Sequence, residues 1–239
     1  MGAAARQTAT ADSKFSRRRA LIIKSAAHVF GRKGFHATTL EEIAAELQVT
    51  KASLYYYFST KEELLYEVHL LSLQDVLAQL DAVRAEFGSP VDQLQRIVAG
   101  HLRVLASDYE GAFLLQQEYD LPEPYHARIV ELRDRYERGL LEIVQDGVRQ
   151  RLFRVKDERV AVRMILGGIN WFLRWYRASG RLTVEQIADA YVDFIFYGLL
   201  ASPVAVGELQ RLATSGPAPS PAGRPRPASP LRVKRARKG

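Results

Sequence analysis

Residues 37–63 read ATTLEEIAAELQVTKASLYYYFSTKEE, and this stretch decides the fold of the chain. Its first half places apolar side chains at the i, i+3, i+4, i+7 spacing of an amphipathic helix. Those side chains are Leu40, Ile43, Ala44 and Leu47. A tight turn at Gln48-Val49 follows, and Thr50 stands where it would cap a second short helix. Two short helices joined by a tight turn predict a helix-turn-helix.

The second of these helices has little to bury. Leu54 and Phe58, four positions apart, form its apolar side. The three consecutive tyrosines at 55–57 cannot all be core, because successive side chains on a helix point about 100° apart. Exposed hydroxyls and an ammonium at a helix start suit the phosphates and base edges of a DNA major groove. The side chains predicted to face outward are Lys51, Ser53, Tyr55, Tyr56 and Tyr57.

Residues 51–58, KASLYYYF, with Ser-Thr-Lys-Glu at 59–62, resemble the third helix of TetR/AcrR-family transcriptional regulators. That helix typically reads K-G-x-L-Y-Y-H-F and continues into S-K-E. The resemblance extends from about Arg17 to about Glu67. Two positions depart from the pattern. Ala52 replaces a frequent glycine, which limits how closely the backbone approaches a base, and Tyr57 replaces a frequent histidine, which removes a titratable charge.

The resemblance implies a regulator that binds a palindromic DNA operator as a homodimer and is released by a small-molecule effector. Repression is the expected direction, and activation stays open. The resemblance also implies which side chains touch DNA. Lys51, Ala52, Ser53 and Tyr56 are expected to face bases, Thr39, Tyr55, Tyr57 and Lys61 to hold phosphates, and Thr50 at the N-cap completes the predicted DNA-binding set.

Start and stop signals delimit the neighbouring helices. A threonine followed three residues later by Glu or Gln predicts a capping box at Thr39, at Thr60 and at Thr183. Gly34 is placed to end a first helix, predicted over residues 17–33, as a left-handed C′ residue. The alternative for this region is a helical hairpin with no role on DNA.

The remainder of the chain predicts helix after helix, without strand alternation or a fixed repeat. The predicted helices cover residues 61–87, a segment that Ser89-Pro90 opens, a short element at 109–119, then 125–150, 158–178 and 183–200. The sequence therefore predicts an all-α fold of about nine helices. The predicted organisation is a disordered N-terminal arm (1–15), a helix-turn-helix DNA-binding domain (16–62), a ligand-binding and dimerisation domain (63–207) and a disordered basic Pro/Arg-rich tail (208–239).

Charge is distributed unevenly along the 239 residues. The net charge of +7 equals that of residues 208–239 alone, while residues 1–70 carry +3 and residues 71–207 carry −3. The basic end of the globular part is thus the helix-turn-helix, which suits binding to phosphates. The chain has no cysteine, no run of eighteen apolar residues and no apolar signal region near its start. A soluble cytoplasmic protein without membrane contact is expected.

The last two predicted long helices are apolar around most of their circumference, so each must be buried on several sides. Gly167 and Gly168 lie mid-helix, where glycine costs about 1 kcal/mol relative to alanine, and they let another helix or a ligand approach closely. In a chain of this size these features indicate a subunit interface. The family resemblance implies a four-helix bundle between two copies.

A weaker resemblance connects the second half to the FadR-like branch of TetR regulators, which respond to acyl-coenzyme A thioesters. It rests on the run 171–177, WFLRWYR, on Gly-Arg-Leu-Thr at 180–183, and on residues 113–119, which occupy the segment flanking the ligand cavity in that branch. The ligand-binding residues that it implies are Phe113, Gln117, Trp171, Arg174, Trp175 and Arg177.

Helical spacing places Arg163, Asn170, Arg174 and Arg177 on one flank. Guanidinium groups there would hold phosphate or a thioester carbonyl, and the tryptophans would wall an acyl chain or an adenine ring. The alternative is that the aromatic residues are core or interface packing and that the arginines pair with carboxylates. The candidate carboxylates are Glu131, Asp134 and Glu137.

The sequence gives little support for other functional classes. The five histidines lie in separate segments without a metal-binding spacing such as H-E-x-x-H, and no Gly-rich phosphate loop follows a strand. We therefore expect no enzyme activity, no metal and no cofactor. The remaining alternatives are an architectural DNA-binding protein without ligand control, an adaptor that recruits protein partners, and a regulator of efflux that responds to hydrophobic drugs.

Overall fold

The computed structural model describes residues 2–107 and 120–199, with side chains from residue 14 onward. Within these ranges the chain forms eight α-helices and no β-strand, so the all-α prediction is confirmed there. The short predicted element at 109–119, with Phe113 and Gln117, lies outside the described residues, as does the predicted tail at 208–239. The helices are α1 (Gly2–Lys33), α2 (Leu40–Glu46), α3 (Lys51–Tyr55), α4 (Lys61–Glu86), α5 (Pro90–Ala106), α6 (Tyr125–Arg149), α7 (Glu158–Trp175) and α8 (Val184–Leu199).

Two helix ends differ from the sequence-based expectation. α1 begins at Gly2 and so extends through most of the arm that was predicted to be disordered. Residues 3–5 are alanines and no proline interrupts the segment, which favours a helix. α7 ends at Trp175 instead of residue 178, because Tyr176 adopts extended dihedrals. The Gly180 amide then donates to the carbonyl of Arg177 at 2.8 Å, and a turn replaces the last helical turn.

The N-terminal helices enclose one hydrophobic core. Its fully buried side chains include Ile22, Phe30, Ile43, Leu54, Phe58, Leu64 and Leu65, which come from α1 to α4 and the segment after α3. Arg19 of α1 forms a half-buried ion pair with Glu67 of α4 at 2.7 Å, and its guanidinium lies 4.9 Å from the centre of the Phe58 ring. These contacts fix α1 against α4 and cover the base of the helix-turn-helix.

Reciprocal side-chain caps begin two helices as predicted. The Thr39 hydroxyl accepts from the Glu42 amide at 3.2 Å, and the Glu42 carboxylate accepts from the Thr39 amide at 3.0 Å. Thr183 and Gln186 exchange the same two hydrogen bonds at the start of α8. Each cap satisfies amides that have no partner inside the helix.

Two other predicted caps differ in detail. The Thr60 hydroxyl accepts from the Glu63 amide at 3.0 Å, but the Glu63 carboxylate accepts from the amide of Ser59, one residue before the cap. Ser89 occupies the N-cap of α5, yet its side chain makes no capping hydrogen bond. Pro90 at the first helical position fixes the start of that helix through its restricted φ angle.

α4 belongs to both halves of the protein. Its first turns place Leu64 and Leu65 in the N-terminal core, and its later turns place Val76 and Leu80 in a second core shared with α5, α6, α7 and α8. α5 packs on α4 and α8, and α6 packs on α4 and α7. A side chain at Gly139 of α6 would collide with Leu80, so glycine allows the close α4–α6 approach. None of the described helices has the length and apolar character needed to span a membrane.

Candidate nucleic-acid interface and effector cavity

The turn between α2 and α3 sets the geometry of the helix-turn-helix. Gln48 adopts a φ of 55°, a left-handed conformation that is uncommon for a residue with a side chain. The Val49 amide donates to the carbonyl of Ala44 at 2.9 Å and closes the turn. The Thr50 hydroxyl then caps α3 by accepting from the Ser53 amide at 3.1 Å. The turn predicted at Gln48-Val49 is confirmed.

α3 and the three residues that follow it turn one side to solvent and the other to the core. Leu54 and Phe58 are fully buried, whereas Tyr56 is 73% exposed and Tyr55 is 41% exposed. This face therefore offers phenol hydroxyls and an ammonium to a partner while the helix is anchored from beneath. We call it the recognition surface; its exposed residues are Lys51, Ala52, Tyr55 and Tyr56.

Tyr57 is half-buried beside α1. Its ring centre lies 4.8 Å from that of Phe15 and 5.2 Å from that of Tyr56, which it meets edge to face. Phe15 therefore packs against the recognition surface. The sequence pattern did not reveal this contact, because Phe15 stands before the predicted start of the first helix.

The two lysines of the predicted DNA-binding set have partners within the protein. Lys51 forms an ion pair with Glu41 of α2, which lowers the pKa of the Glu41 carboxyl and raises that of the Lys51 ammonium. Lys61 donates to the carbonyls of Phe35 and Thr38, each at 2.9 Å. Lys61 thus ties α4 to the loop before α2, and its predicted phosphate contact stays a prediction.

Residues 120–125, which we call the docking segment, attach the start of α6 to the N-terminal core. Leu121 is buried in that core, and the Tyr125 ring stacks on Tyr66 of α4 with centres 4.5 Å apart. The Nε2 atom of His36 lies 3.1 Å from the Oδ1 atom of Asp120. His36 belongs to the loop that leads into the cap of α2. The docking segment therefore connects α6 to the helix-turn-helix.

A cavity of about 430 Å³ lies among α4, α5, α6 and α7. Part of its wall is apolar and is formed by Leu73, Val76, Leu105, Ile129 and Leu166. The polar part of the wall includes His69, His101, Arg133, Glu137, Arg163 and Asn170. An apolar wall with a few polar groups is typical of a small-molecule site, and the volume falls in the range of such sites.

Two histidines in this cavity are buried and differ in their hydrogen bonding. The Nδ1 atom of His101 lies 3.0 Å from the hydroxyl of Tyr136. The Nε2 atom of His69, in contrast, makes no hydrogen bond to any residue that the structure describes. Burial lowers the pKa of both imidazoles to about 4, and the positive charge of Arg133 adds to the lowering at His69. Both rings are therefore neutral at neutral pH.

The outer faces of α7 and α8 form an apolar groove of about 940 Å³. Met164 and Phe194 line it and are 73% and 82% exposed. The Tyr191 hydroxyl donates to the carbonyl of Gly168 at 3.1 Å and holds the two helices together. Several large apolar side chains exposed in one groove mark an interaction surface.

Comparison with known proteins agrees with this architecture. Residues 22–68 match the family described as "Bacterial regulatory proteins, tetR family", and residues 88–199 match "Tetracyclin repressor-like, C-terminal domain". The crystal structure of the TetR-family transcriptional regulator PfmR from Thermus thermophilus aligns with a TM-score of 0.69 at 36% identity, covering 74% of this chain and 97% of that one. The chain belongs to the TetR family.

Two further TetR-family relatives are similar over most of their length. The crystal structure of AibR in complex with isovaleryl coenzyme A and operator DNA aligns with a TM-score of 0.68 at 29% identity, covering 75% of this chain and 98% of that chain. The HTH-type transcriptional repressor KstR2 of Mycobacterium tuberculosis is 24% identical over 185 residues, covering 76% of this chain and 92% of the relative. KstR2 is described as a transcriptional repressor, and AibR is described in complex with operator DNA.

The ligand-binding residues predicted on α7 do not line the described cavity. Trp171 is 64% exposed, and Arg174 is exposed as well. Trp175 packs edge-on against Phe172 with ring centres 5.5 Å apart, and Arg177 donates to the carbonyl of the preceding residue at 2.7 Å. The last residue of α7 that lines the cavity is Asn170, so all four residues follow the cavity-lining part of the helix. Their contact with a ligand stays a prediction.

The cavity-facing stripe of α7 lies earlier in the helix. Arg163, Leu166, Gly167 and Asn170 follow the i, i+3, i+4, i+7 spacing and face the cavity. The Nε atom of Arg163 lies 3.4 Å from a carboxylate oxygen of Glu137. This ion pair is the alternative that the sequence left open for the arginines of this flank. The sequence did not single out His69, His101 and Arg133 as site residues, because they stand on three helices that only tertiary packing brings together.

Proposed function

We propose that this TetR-family chain is a ligand-responsive transcriptional repressor that binds a palindromic operator and releases it when a small molecule occupies the cavity. The recognition surface is the observation that carries the proposal. Lys51, Tyr55 and Tyr56 face solvent there above the buried Leu54 and Phe58. Side chains of this kind on the second helix of a helix-turn-helix contact base edges and phosphates in a major groove. The descriptions of KstR2 as a repressor and of AibR in complex with operator DNA support it.

The proposed repressor is a homodimer through the apolar groove of α7 and α8. A second copy packed on this face would cover Met164 and Phe194, which a monomer leaves exposed to water. A two-fold interface presents the same surface from both copies, so the two recognition surfaces would be related by symmetry. They would then read half-sites about one DNA turn, some 34–36 Å, apart, which requires an inverted repeat.

The proposed effector is an acyl-coenzyme A thioester from fatty-acid, steroid or aromatic-acid catabolism. Isovaleryl coenzyme A is the ligand in the AibR complex, and that protein aligns over three quarters of this chain. The apolar wall of the cavity suits an acyl chain, and Arg133 and Arg163 bring positive charge to it, of which Glu137 offsets part at Arg163. A hydrophobic drug, the effector of the efflux alternative, would need the apolar wall but would make no use of that positive charge.

α4 would transmit the signal, because it belongs to both cores. A ligand that contacts its cavity face would displace its first turns, which Lys61 ties to the loop before α2. The displacement would change the spacing of the two recognition surfaces in the dimer. A ligand shifts this equilibrium only as far as it binds more tightly to the spacing that does not fit DNA.

Selection of operators from a random duplex library tests the proposal. The full chain should enrich an inverted repeat with half-sites one DNA turn apart, and octanoyl-coenzyme A should release the enriched duplex. The Tyr56→Ala variant should enrich that repeat much less at the same protein concentration, while its thermal unfolding stays that of the wild type. A pool without a shared motif would contradict the proposal and is the outcome that an architectural DNA-binding protein would give.

A further inference from the structure

His69 of α4 lines the cavity, and its buried Nε2 atom lacks a hydrogen-bond partner among the described residues. His69 is only 5% exposed, so bulk water does not supply the missing hydrogen bond. Leaving a buried polar atom without a hydrogen bond costs free energy, and such an atom in a cavity wall is explained when a ligand supplies the bond. His101 differs, because its Nδ1 atom is already hydrogen-bonded to the Tyr136 hydroxyl.

The surroundings of His69 select an oxygen acceptor as its partner. The imidazole is neutral at neutral pH, so it offers one N–H donor and one acceptor nitrogen and forms no ion pair with a ligand. The positive charge of Arg133 acts on the ring, which favours an electron-rich oxygen beside it over a ligand N–H group. The neighbouring wall of Leu73, Val76 and Leu166 has no polar side-chain atom and suits a hydrocarbon chain.

On the basis of the proposed ligand response, we infer that the cavity binds the acyl end of an acyl thioester, whose carbonyl oxygen accepts a hydrogen bond from the Nε2 atom of His69. About 430 Å³ is the space of roughly fourteen water molecules at about 30 Å³ each, which suits an acyl group with its carbonyl but not a whole coenzyme A thioester. The acyl chain lies against the apolar wall, and the carbonyl faces α4. The carboxylate of a free fatty acid would also offer an acceptor oxygen, and the experiment below distinguishes it from a thioester.

His69 is also placed to pass the binding event to the DNA-binding half. The residue before it, Val68, is buried in the N-terminal core. Two positions before it, Glu67 pairs with Arg19 of α1 at 2.7 Å. A hydrogen bond made at His69 therefore acts on the turn of α4 that holds α1, so the recognition surface responds to the ligand without touching it.

Calorimetry on the full chain tests the inference with octanoyl-coenzyme A, octanoate and coenzyme A as probes. The wild type should bind octanoyl-coenzyme A more tightly than the other two. The His69→Leu variant should bind it about tenfold more weakly, as expected for one lost hydrogen bond in a buried site. The His126→Leu variant, altered at the start of α6 and outside the cavity wall, should bind as the wild type does.

Three results would overturn the inference: equal affinity of the His69→Leu variant, equal affinity of the wild type for coenzyme A and its octanoyl thioester, or no binding of any probe. Tighter binding of octanoate than of the thioester would assign the site to free acids instead. Operator selection without ligand separates these outcomes from the proposed function, since a chain that still enriches an inverted repeat remains a specific regulator.

Nitrogen-15 labelling of the histidines keeps the inference testable if the His69→Leu variant fails to fold. In the wild type, octanoyl-coenzyme A should shift the Nε2 resonance of His69, because that atom gains a hydrogen bond. The ring resonances of His126 should stay in place. A His69 resonance that does not move at saturating ligand would overturn the assignment.

Discussion

Lys51, the first residue of α3, forms an ion pair with Glu41 of α2. Both side chains are exposed, and Glu41 stands two residues after Thr39, whose predicted partner is a phosphate. Without DNA, the lysine that is predicted to contact bases is thus paired with a carboxylate of the same chain. Because the predicted DNA contact of Lys51 would have to replace that carboxylate, we expect Glu41 to oppose DNA binding through competition and through repulsion of phosphates.

Replacing Glu41 by Gln should therefore tighten operator binding. We expect a gain of roughly two- to fivefold at low salt, because exposed ion pairs contribute little and are screened. Fluorescence anisotropy of a labelled operator at several salt concentrations measures it. The matched control is Glu46→Gln in the same helix, whose carboxylate lies 3.8 Å from Arg32 and away from Lys51. An operator affinity that is equal or lower in the Glu41→Gln variant would contradict the competition.

Tyr56 offers the cleanest separation of DNA binding from folding. Its side chain is 73% exposed, so its removal leaves the core intact. Tyr56→Ala should weaken operator binding by about 10- to 100-fold, the usual range for a base contact, with an unchanged thermal midpoint. Tyr56→Phe, which keeps the ring and removes only the hydroxyl, should fall between the two. Should Tyr56→Ala bind the operator as tightly as the wild type, the DNA contacts would have to come from another part of the protein.

The helix-turn-helix was predictable because its signals are local. Leu54 and Phe58 have the four-residue spacing that predicts one buried side, and Thr39 and Glu42 place a complete capping box within four consecutive residues. The cavity was not predictable in the same way, since its wall depends on how helices pack. Arg174 shows the limit: it continues the stripe of Asn170, but the helix ends one residue later and the cavity has already closed. Helical spacing identifies a face of a helix and leaves open how far along that face a cavity extends.

Acid should destabilise the folded protein through its two buried histidines. Burial lowers the pKa of His69 and of His101 from 6.5 to about 4. Between these values the unfolded chain binds more protons than the folded one, so the free energy of unfolding falls as pH falls from 6.5 towards 4. The stability is fully present above pH 6.5. At pH 5 the loss is on the order of 2 kcal/mol for each histidine.

Urea unfolding at a series of pH values checks this dependence. The His69→Leu variant has no imidazole to protonate at that position, so its free energy of unfolding should fall less steeply between pH 6.5 and 5 than that of the wild type. Parallel curves for the two proteins would mean that folding does not lower the pKa of His69. Ligand is omitted, because a bound effector would stabilise the folded state by itself.

Phe194 is the sharpest probe of the proposed dimer. It is 82% exposed in the apolar groove, so a charge there leaves the folded chain intact but meets an apolar surface in a dimer. Phe194→Glu should sediment as a monomer at concentrations where the wild type is a dimer, and its operator affinity should fall with the loss of the second half-site. The control is Leu21→Glu, an exposed apolar residue of α1 outside the groove, which should sediment as the wild type does. A dimeric Phe194→Glu protein would place the interface on another face.

The contact between His36 and Asp120 should matter for the response to effector more than for DNA binding itself. Asp120 begins the docking segment, and His36 lies in the loop that leads into the cap of α2, with 3.1 Å between Nε2 and Oδ1. Asp120→Ala removes this tie at the surface, while the buried Leu121 keeps the segment on the core. Titration of an operator complex with octanoyl-coenzyme A should then need severalfold more ligand for release, with ligand-free affinity within about twofold of the wild type.

The control for this contact is Glu123→Ala, three residues along the same segment. It removes a carboxylate that faces His126 and should leave the midpoint of the release titration unchanged. If Asp120→Ala shifted ligand-free affinity and release together, the contact would serve to orient the helix-turn-helix in both states, and α4 alone would carry the signal.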